Sequence, residues 1–315
     1  MLMNRHGQSV RGGATGSLAE SAVTAIERAE VIDRSSGALR PFVSRLVGDG
    51  VPRDLATGRW LGHPVHPAAI TVPLACWFGA TVLDLVGGRD ARGAARRLVG
   101  LGVVGALPVA ATGAADWLDT ADAEQRVGTV HALAMSAAAA IYGWSWCERR
   151  RGRHLRGVAL GAAAAAVTGA GAFLGGHLAY RRGVGVDTTA FQAGPEDWTE
   201  LHVTGAVTPF APVAADVDGV AFAVVGRTGP AEPPHVLEAR CTHRGGPLHE
   251  GTVADGCITC PWHASRFDLE TGAVRSGPAS APQPVYEVRA SDGTVSIRRA
   301  ERGGLRRNPV NGPSR

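Results

Sequence analysis

The 315-residue chain has no lysine: all 32 of its basic residues are arginine, set against 28 acidic ones for a net charge of +4. No basic helix interleaved with aromatics is present, and most arginines flank apolar segments, so no nucleic-acid partner is expected. Cysteine is scarce and odd in number. Of the five, Cys76 and Cys147 lie in apolar stretches, so no even disulfide framework is available. The first 20 residues lack an apolar run, and no cleavable signal peptide is expected there. Charged residues make up only 19% of the chain against 45% hydrophobic.

The apolar residues are concentrated between positions 64 and 180. Four segments, 67–86, 98–118, 128–147 and 155–178, are long enough for a bilayer core, which needs about 20 apolar residues per helix. A soluble alanine-rich bundle is the competing reading, because 14 of the 20 residues from Gly157 to Gly176 are Ala or Gly. Soluble bundle helices carry a polar stripe, and these segments have almost none. A multi-pass, four-helix transmembrane bundle in the cell membrane follows, with the lipid bilayer as partner. The first connection carries Arg89, Arg92, Arg96 and Arg97, and the third carries Arg149, Arg150, Arg151, Arg153 and Arg156. The second is acidic, with Asp116, Asp119, Asp122 and Glu124. By the positive-inside rule the region after the fourth segment is expected on the extracytoplasmic side, although Arg53, Arg59, Arg181 and Arg182 dilute that bias.

This bundle carries its own histidines. His63-Pro64-Val65-His66-Pro67 opens the first segment, His131 opens the third and His177 closes the fourth, so alternation of direction puts all four on one side. Ionisable residues at membrane depth are costly, and neutral imidazoles on facing helices suit haem iron, copper or zinc. A b-type haem is the preferred cofactor here. The alternatives are histidines that cap helices or anchor the headgroup boundary, with Pro64 and Pro67 marking a helix start, and another metal or a quinone pocket.

Late in the chain stand Cys241-Thr242-His243 and, after a gap of sixteen residues, Cys260-Pro261-Trp262-His263. Two cysteines and two histidines satisfy tetrahedral zinc. They equally satisfy a [2Fe-2S] cluster with thiolates on one iron and imidazoles on the other. Spacing alone leaves both open. The longer stretches, Cys241-Thr-His243-Arg-Gly245-Gly246-Pro-Leu and Cys260-Pro-Trp-His263-Ala-Ser265-Arg-Phe267-Asp268, closely resemble the two cluster-binding loops of Rieske domains. Downstream, Gly277-Pro278-Ala279 resembles the proline loop that covers the cluster in that family. The resemblance spans about residues 196–299. It implies that Cys241 and Cys260 bind one iron, and that His243 and His263 bind the other and form the exposed, electron-passing edge. Quinol-oxidising members carry two bridging cysteines at positions matching Gly246 and Trp262, and a tyrosine at Phe267. Their absence implies fewer donors to sulfur and a lower potential. The motif around His63 and His66, with Gly128-Thr-Val-His131 and Gly-Gly-His177-Leu, is similar to a family of bacterial membrane proteins of largely undefined function, often joined to Rieske domains.

The expected architecture is multidomain: an N-terminal segment with amphipathic helices (1–62), an all-α four-helix transmembrane domain (63–182), a linker (183–195), an all-β Rieske [2Fe-2S] domain (196–300) and a tail (301–315). Short strands are expected at 200–203, 220–225 and 235–239, with two more at the C-terminal end. Only about 15 residues follow the last expected strand, which leaves no room for an oxygenase's catalytic domain with its own iron site. The expected function is a membrane-anchored one-electron carrier or oxidoreductase component, exchanging electrons with a redox partner protein or the quinone pool. A quinol-oxidising subunit is the alternative.

Overall fold

The computed structural model describes residues 18–192, 194–229, 232–291 and 294–299, so the expected tail lies outside it. The helices in chain order are α1 (Leu18–Arg28), α2 (Val31–Val47), α3 (Val51–Thr57), α4 (His66–Ala69), α5 (Thr71–Val86), α6 (Arg92–Leu118), α7 (Asp122–Arg150) and α8 (His154–Gly176). The described chain forms two compact units. One holds the residues up to Leu46 together with Thr71–Arg182; the other holds Val47–Ile70 together with the chain from Gly183 onward. The units divide between Ile70 and Thr71 and again between Arg182 and Gly183.

Four helical spans are long and apolar enough to cross a membrane: His66–Val86, which runs through α4 and α5, then Arg92–Leu118, Asp122–Arg150 and His154–Arg181. The sequence locates only their apolar parts, and α6 and α7 run further. Asp122 and Glu124 occupy the first turn of α7, and Arg149 and Arg150 its last. Each sign there opposes the helix dipole, which favours extension into polar sequence. Phe78, Leu85, Leu101, Leu107, Leu133 and Leu155 point outward and are exposed, as lipid-facing side chains would be. Inside, small residues form sockets for aromatics. A Cβ on Gly102 would lie 2.3 Å from the indole nitrogen of Trp77, and Trp77 stacks on Tyr142 with ring centroids 4.1 Å apart. Close packing over Gly and Ala is how apolar helices associate where lipid removes the hydrophobic drive. A buried ion pair joins two helix ends: Arg149 Nη1 and Nη2 donate to the Asp84 carboxylate at 2.8 and 2.5 Å. On the N-terminal side, Arg126 donates to both carboxylate oxygens of Asp33 at 2.7 Å, tying α2 to α7.

In the second unit the strands are β1 (Thr199–Glu200), β2 (His202–Val203), β3 (Val213–Val217), β4 (Val220–Val225), β5 (His235–Glu238), β6 (Thr252–Ala254), β7 (Cys257–Thr259), β8 (Arg266–Asp268), β9 (Val274–Ser276), β10 (Tyr286–Ser291) and β11 (Thr294–Arg299). They make three antiparallel sheets, ordered β1-β11-β10, β2-β3-β4-β5 and β6-β7-β8-β9. Alternation along β5 divides its side chains between two cores. Leu237 joins Ile258, Phe267 and Leu248, whereas Val236 joins Phe222, Tyr286 and Ile297. Cys257 is a buried strand residue. The expected linker is docked: Thr188 donates from its amide to the Thr242 carbonyl at 3.1 Å and from its hydroxyl to the Cys241 carbonyl at 2.7 Å. Residues 47–70 contribute α3, a 3-10 turn at Arg59–Leu61 and α4 to this same unit.

Candidate metal centre

Two tight loops follow β5 and β7. In the first, the Cys241 amide donates to Gly246 O at 2.9 Å and the Gly245 amide to Cys241 O at 2.8 Å. Gly245 takes a φ of +73° to close it. In the second, the Cys260 amide donates to Ser265 O at 2.8 Å and the Ala264 amide to Cys260 O at 3.1 Å. Ala264 is held at a φ of +57°, a conformation costing about 1–3 kcal/mol in a non-glycine residue and concentrated at functional sites.

The loops bring cysteine to cysteine and histidine to histidine. The Cys241 and Cys260 sulfurs share a hydrogen bond, and both residues are buried. The His243 and His263 rings meet edge to face with centroids 5.1 Å apart. Cys260 is pulled down by the hydrogen bond from Cys241 and by the amides of Trp262 and His263, and Cys241 is pushed up by that same bond and by burial. Burial first, then the charges of His263 and Arg244, lowers His243 to about 4, so its imidazole is neutral as a ligand must be. Its Nδ1 is buried with no hydrogen-bond partner among the described residues. Two facing pairs fit a dinuclear cluster, one pair per iron, better than a tetrahedral zinc.

The surrounding packing belongs to the same design. A Cβ on Gly246 would lie 2.7 Å from Cys260 Sγ and 3.1 Å from Trp262 Cγ. Ser265 is fully buried and its hydroxyl accepts the Ala279 amide at 3.2 Å, fastening the Gly277-Pro278-Ala279 loop to the second loop. Gln283, which nothing in its sequence context marks, braces the first loop. Its Oε1 accepts the Thr242 amide, and its Nε2 donates to the carbonyls of Glu238 and Arg240.

Residues 197–287 match the family described as the Rieske [2Fe-2S] domain. Over 100 residues the chain is 36% identical to the anthranilate 1,2-dioxygenase ferredoxin subunit of Burkholderia cepacia, spanning 91% of that protein and 31% of this one. The chain belongs to the Rieske [2Fe-2S] family. It is also 36% identical over 63 residues to ferredoxin CarAc of Metapseudomonas resinovorans, covering 59% of that protein and 20% of this chain. Among solved structures, the Sphingomonas yanoikuyae B1 ferredoxin is matched over all of its length and 33% of this chain, at 30% identity and a TM-score of 0.30. Residues 62–188 match the predicted membrane protein family DUF2231. The protein therefore joins a Rieske domain, of the kind found in electron-transfer ferredoxins, to a membrane-protein domain with four apolar helices.

Outside the Rieske domain the four remaining candidate histidines divide between the two units. His63 and His66 lie in Val47–Ile70, whereas His131 and His177 lie in the helical unit. The His131 Nδ1 meets the Gly171 carbonyl of α8 at 2.8 Å, and a Cβ on Gly175 would touch the ring at 3.2 Å. The His177 Nε2 meets Glu27 Oε1 of α1 at 2.9 Å, and Arg182 reaches the same carboxylate at 3.7 Å. Both therefore join helices to one another. Within the Rieske domain, His235 pairs with Glu270 at 3.3 Å and His202 lies on the exposed side of β2.

Proposed function

We propose that the protein is a membrane-anchored one-electron carrier in which Cys241 and Cys260 hold one iron and His243 and His263 the other. The observation that carries this is the pairing of thiol with thiol and imidazole with imidazole across two facing loops. When bound, a [2Fe-2S] cluster supplies reversible one-electron exchange. The chain's residues do the rest. Burial of Cys241, Cys260 and Ser265 excludes water, and the neutral His243 offers a lone pair. His263 and Trp262, both exposed, present an edge to a redox partner protein. His243→Ala or Cys260→Ala should abolish the visible absorbance and the paramagnetic signal of the reduced protein, and retention of both signals would sink the assignment.

Gly246, Trp262 and Phe267 leave the sulfurs without the disulfide and phenol that resemblance to quinol-oxidising members would require, which favours a lower-potential carrier over a quinol oxidase. A measured midpoint above about +200 mV would reverse that preference. The arginine-rich first and third connections support an extracytoplasmic Rieske domain, testable by protease access in intact cells. A b-type haem in the membrane helices is a second reading, and it has one observation in its favour. The contact of His131 Nδ1 with a backbone carbonyl leaves Nε2 to face a metal, the usual arrangement of a ligating imidazole. A haem-free preparation made with ample haem supply would remove it.

A further inference from the structure

The Gly277-Pro278-Ala279 loop is held from two sides, and only one of them lies in the Rieske domain. On the inner side Gly277 packs directly on the second cluster loop. A Cβ there would stand 2.5 Å from Ser265 Cα, and the residue adopts a φ of +92°. The Ala279 amide is bound to Ser265 Oγ, and the Ser265 carbonyl accepts the Cys260 amide. Displacing this loop therefore displaces the backbone that aims the Cys260 sulfur.

On the outer side stands a residue from far upstream. Arg59 Nη2 donates to the Gly277 carbonyl at 2.6 Å, and Nη1 pairs with Asp54 Oδ1 at 2.5 Å. The Arg59 side chain is only 13% exposed, and its Nε is buried without a hydrogen-bond partner among the described residues. A guanidinium so desolvated and neutralised by a single half-exposed carboxylate keeps a strong local field. Val51–Thr57 and the turn Arg59–Leu61 thus set a fixed cation on the backbone that covers the proposed cluster.

We propose that Arg59 is a positioning residue for the redox centre: through the Gly277 carbonyl it holds the covering loop against Ser265 and Cys260, and its charge favours the reduced state. The inference rests on the proposed ligand assignment. Nothing in residues 197–287 supplies this cation, so it belongs to the part of the chain that enters the membrane domain.

The test is a redox titration of the full-length protein in detergent, read by paramagnetic resonance, with iron and sulfide counted per chain. Arg59→Gln should keep its cluster but shift the reduction equilibrium toward the oxidised form by roughly threefold to tenfold, tenfold being 59 mV for a one-electron couple. Arg59→Lys should recover most of that shift, because it restores the charge. Asp54→Asn, which keeps Arg59 and frees it, should change the line shape of the reduced signal. An Arg59→Gln midpoint and line shape equal to wild type, at full cluster content, would overturn the proposal. If Arg59→Gln fails to load, an Asp54→Asn protein with wild-type midpoint and line shape overturns it instead. Absence of any cluster signal from the wild-type protein would overturn the ligand assignment itself, which separates the two failures.

Discussion

Gly246 stands so close to Cys260 that a Cβ on the glycine would sit 2.7 Å from the sulfur. The first loop thus passes over the second with room for hydrogen and nothing larger. Gly246→Ala should push the loops apart at a cost of about 1–3 kcal/mol, the usual range for overpacking. Iron and sulfide content per chain should fall below wild type under the same purification. Full content with an unchanged spectrum would show that Trp262, also within 3.1 Å, yields instead.

The docked linker makes a second prediction. Thr188→Val removes the hydroxyl that donates to the Cys241 carbonyl while keeping the shape of the side chain. A loss of about 0.5–1.5 kcal/mol is expected, and the Cys241 carbonyl loses a partner. Thermal bleaching of the visible spectrum should begin at lower temperature than in wild type. Thr189→Val, which removes only the local hydroxyl bond to Asp187, serves as the comparison.

Glu238 gives a pH dependence. Its side chain is wholly buried, and burial first, with the Asp187 charge adding to it, pushes its carboxyl up to about 7 against the opposing pull of Arg299 and Arg240. The folded protein therefore holds a proton that the unfolded chain releases near pH 4.5. The resulting stability is complete below that pH, falls as pH rises, and is gone above about 7, an effect on the order of 3 kcal/mol by linkage. Glu238→Gln should flatten the fall in unfolding temperature between pH 5 and pH 8. Equal slopes in wild type and variant would show that Glu238 contributes no such term.

Asp84 and Arg149 give the last prediction, in the helical unit. Their side chains are 7% and 3% exposed. Removing one partner of a buried pair typically costs about 3–5 kcal/mol, because it strands the other charge. Asp84→Ala should lower the unfolding temperature of the detergent-solubilised protein sharply, whereas Asp84→Leu combined with Arg149→Met should recover most of the loss. Equal losses in the single and double variants would mean that packing, not the stranded charge, sets the cost.

The cluster loops and the four apolar helices were legible because each is written locally. Cys241-Thr-His243 and Cys260-Pro-Trp-His263 carry their chemistry in consecutive residues, and a bilayer imposes a run of apolar sequence on each helix. Strands β6, β8 and β9 were not legible, since three-residue strands carry too little alternation to read. Arg59, Gln283 and Thr188 were missed for a different reason. Their partners Gly277, Thr242 and Cys241 lie 218, 41 and 53 residues away, and no local pattern encodes such a pairing. His177 was legible as an unusual residue but not as the partner of Glu27, 150 positions upstream.

The unit that bears the Rieske domain is discontinuous in the chain, drawing Val47–Ile70 from ahead of the membrane helices and the rest from Gly183 onward. In topological terms the helices from Thr71 to Arg182 are an insertion within that unit. A soluble fragment cut at Gly183 would leave Arg59 and Asp54 behind, and with them the outer brace on Gly277. Recombination that swapped either half for that of another protein would face the same loss. The two modules can be told apart by sequence family, yet the unit that holds one of them takes part of its structure from ahead of the other.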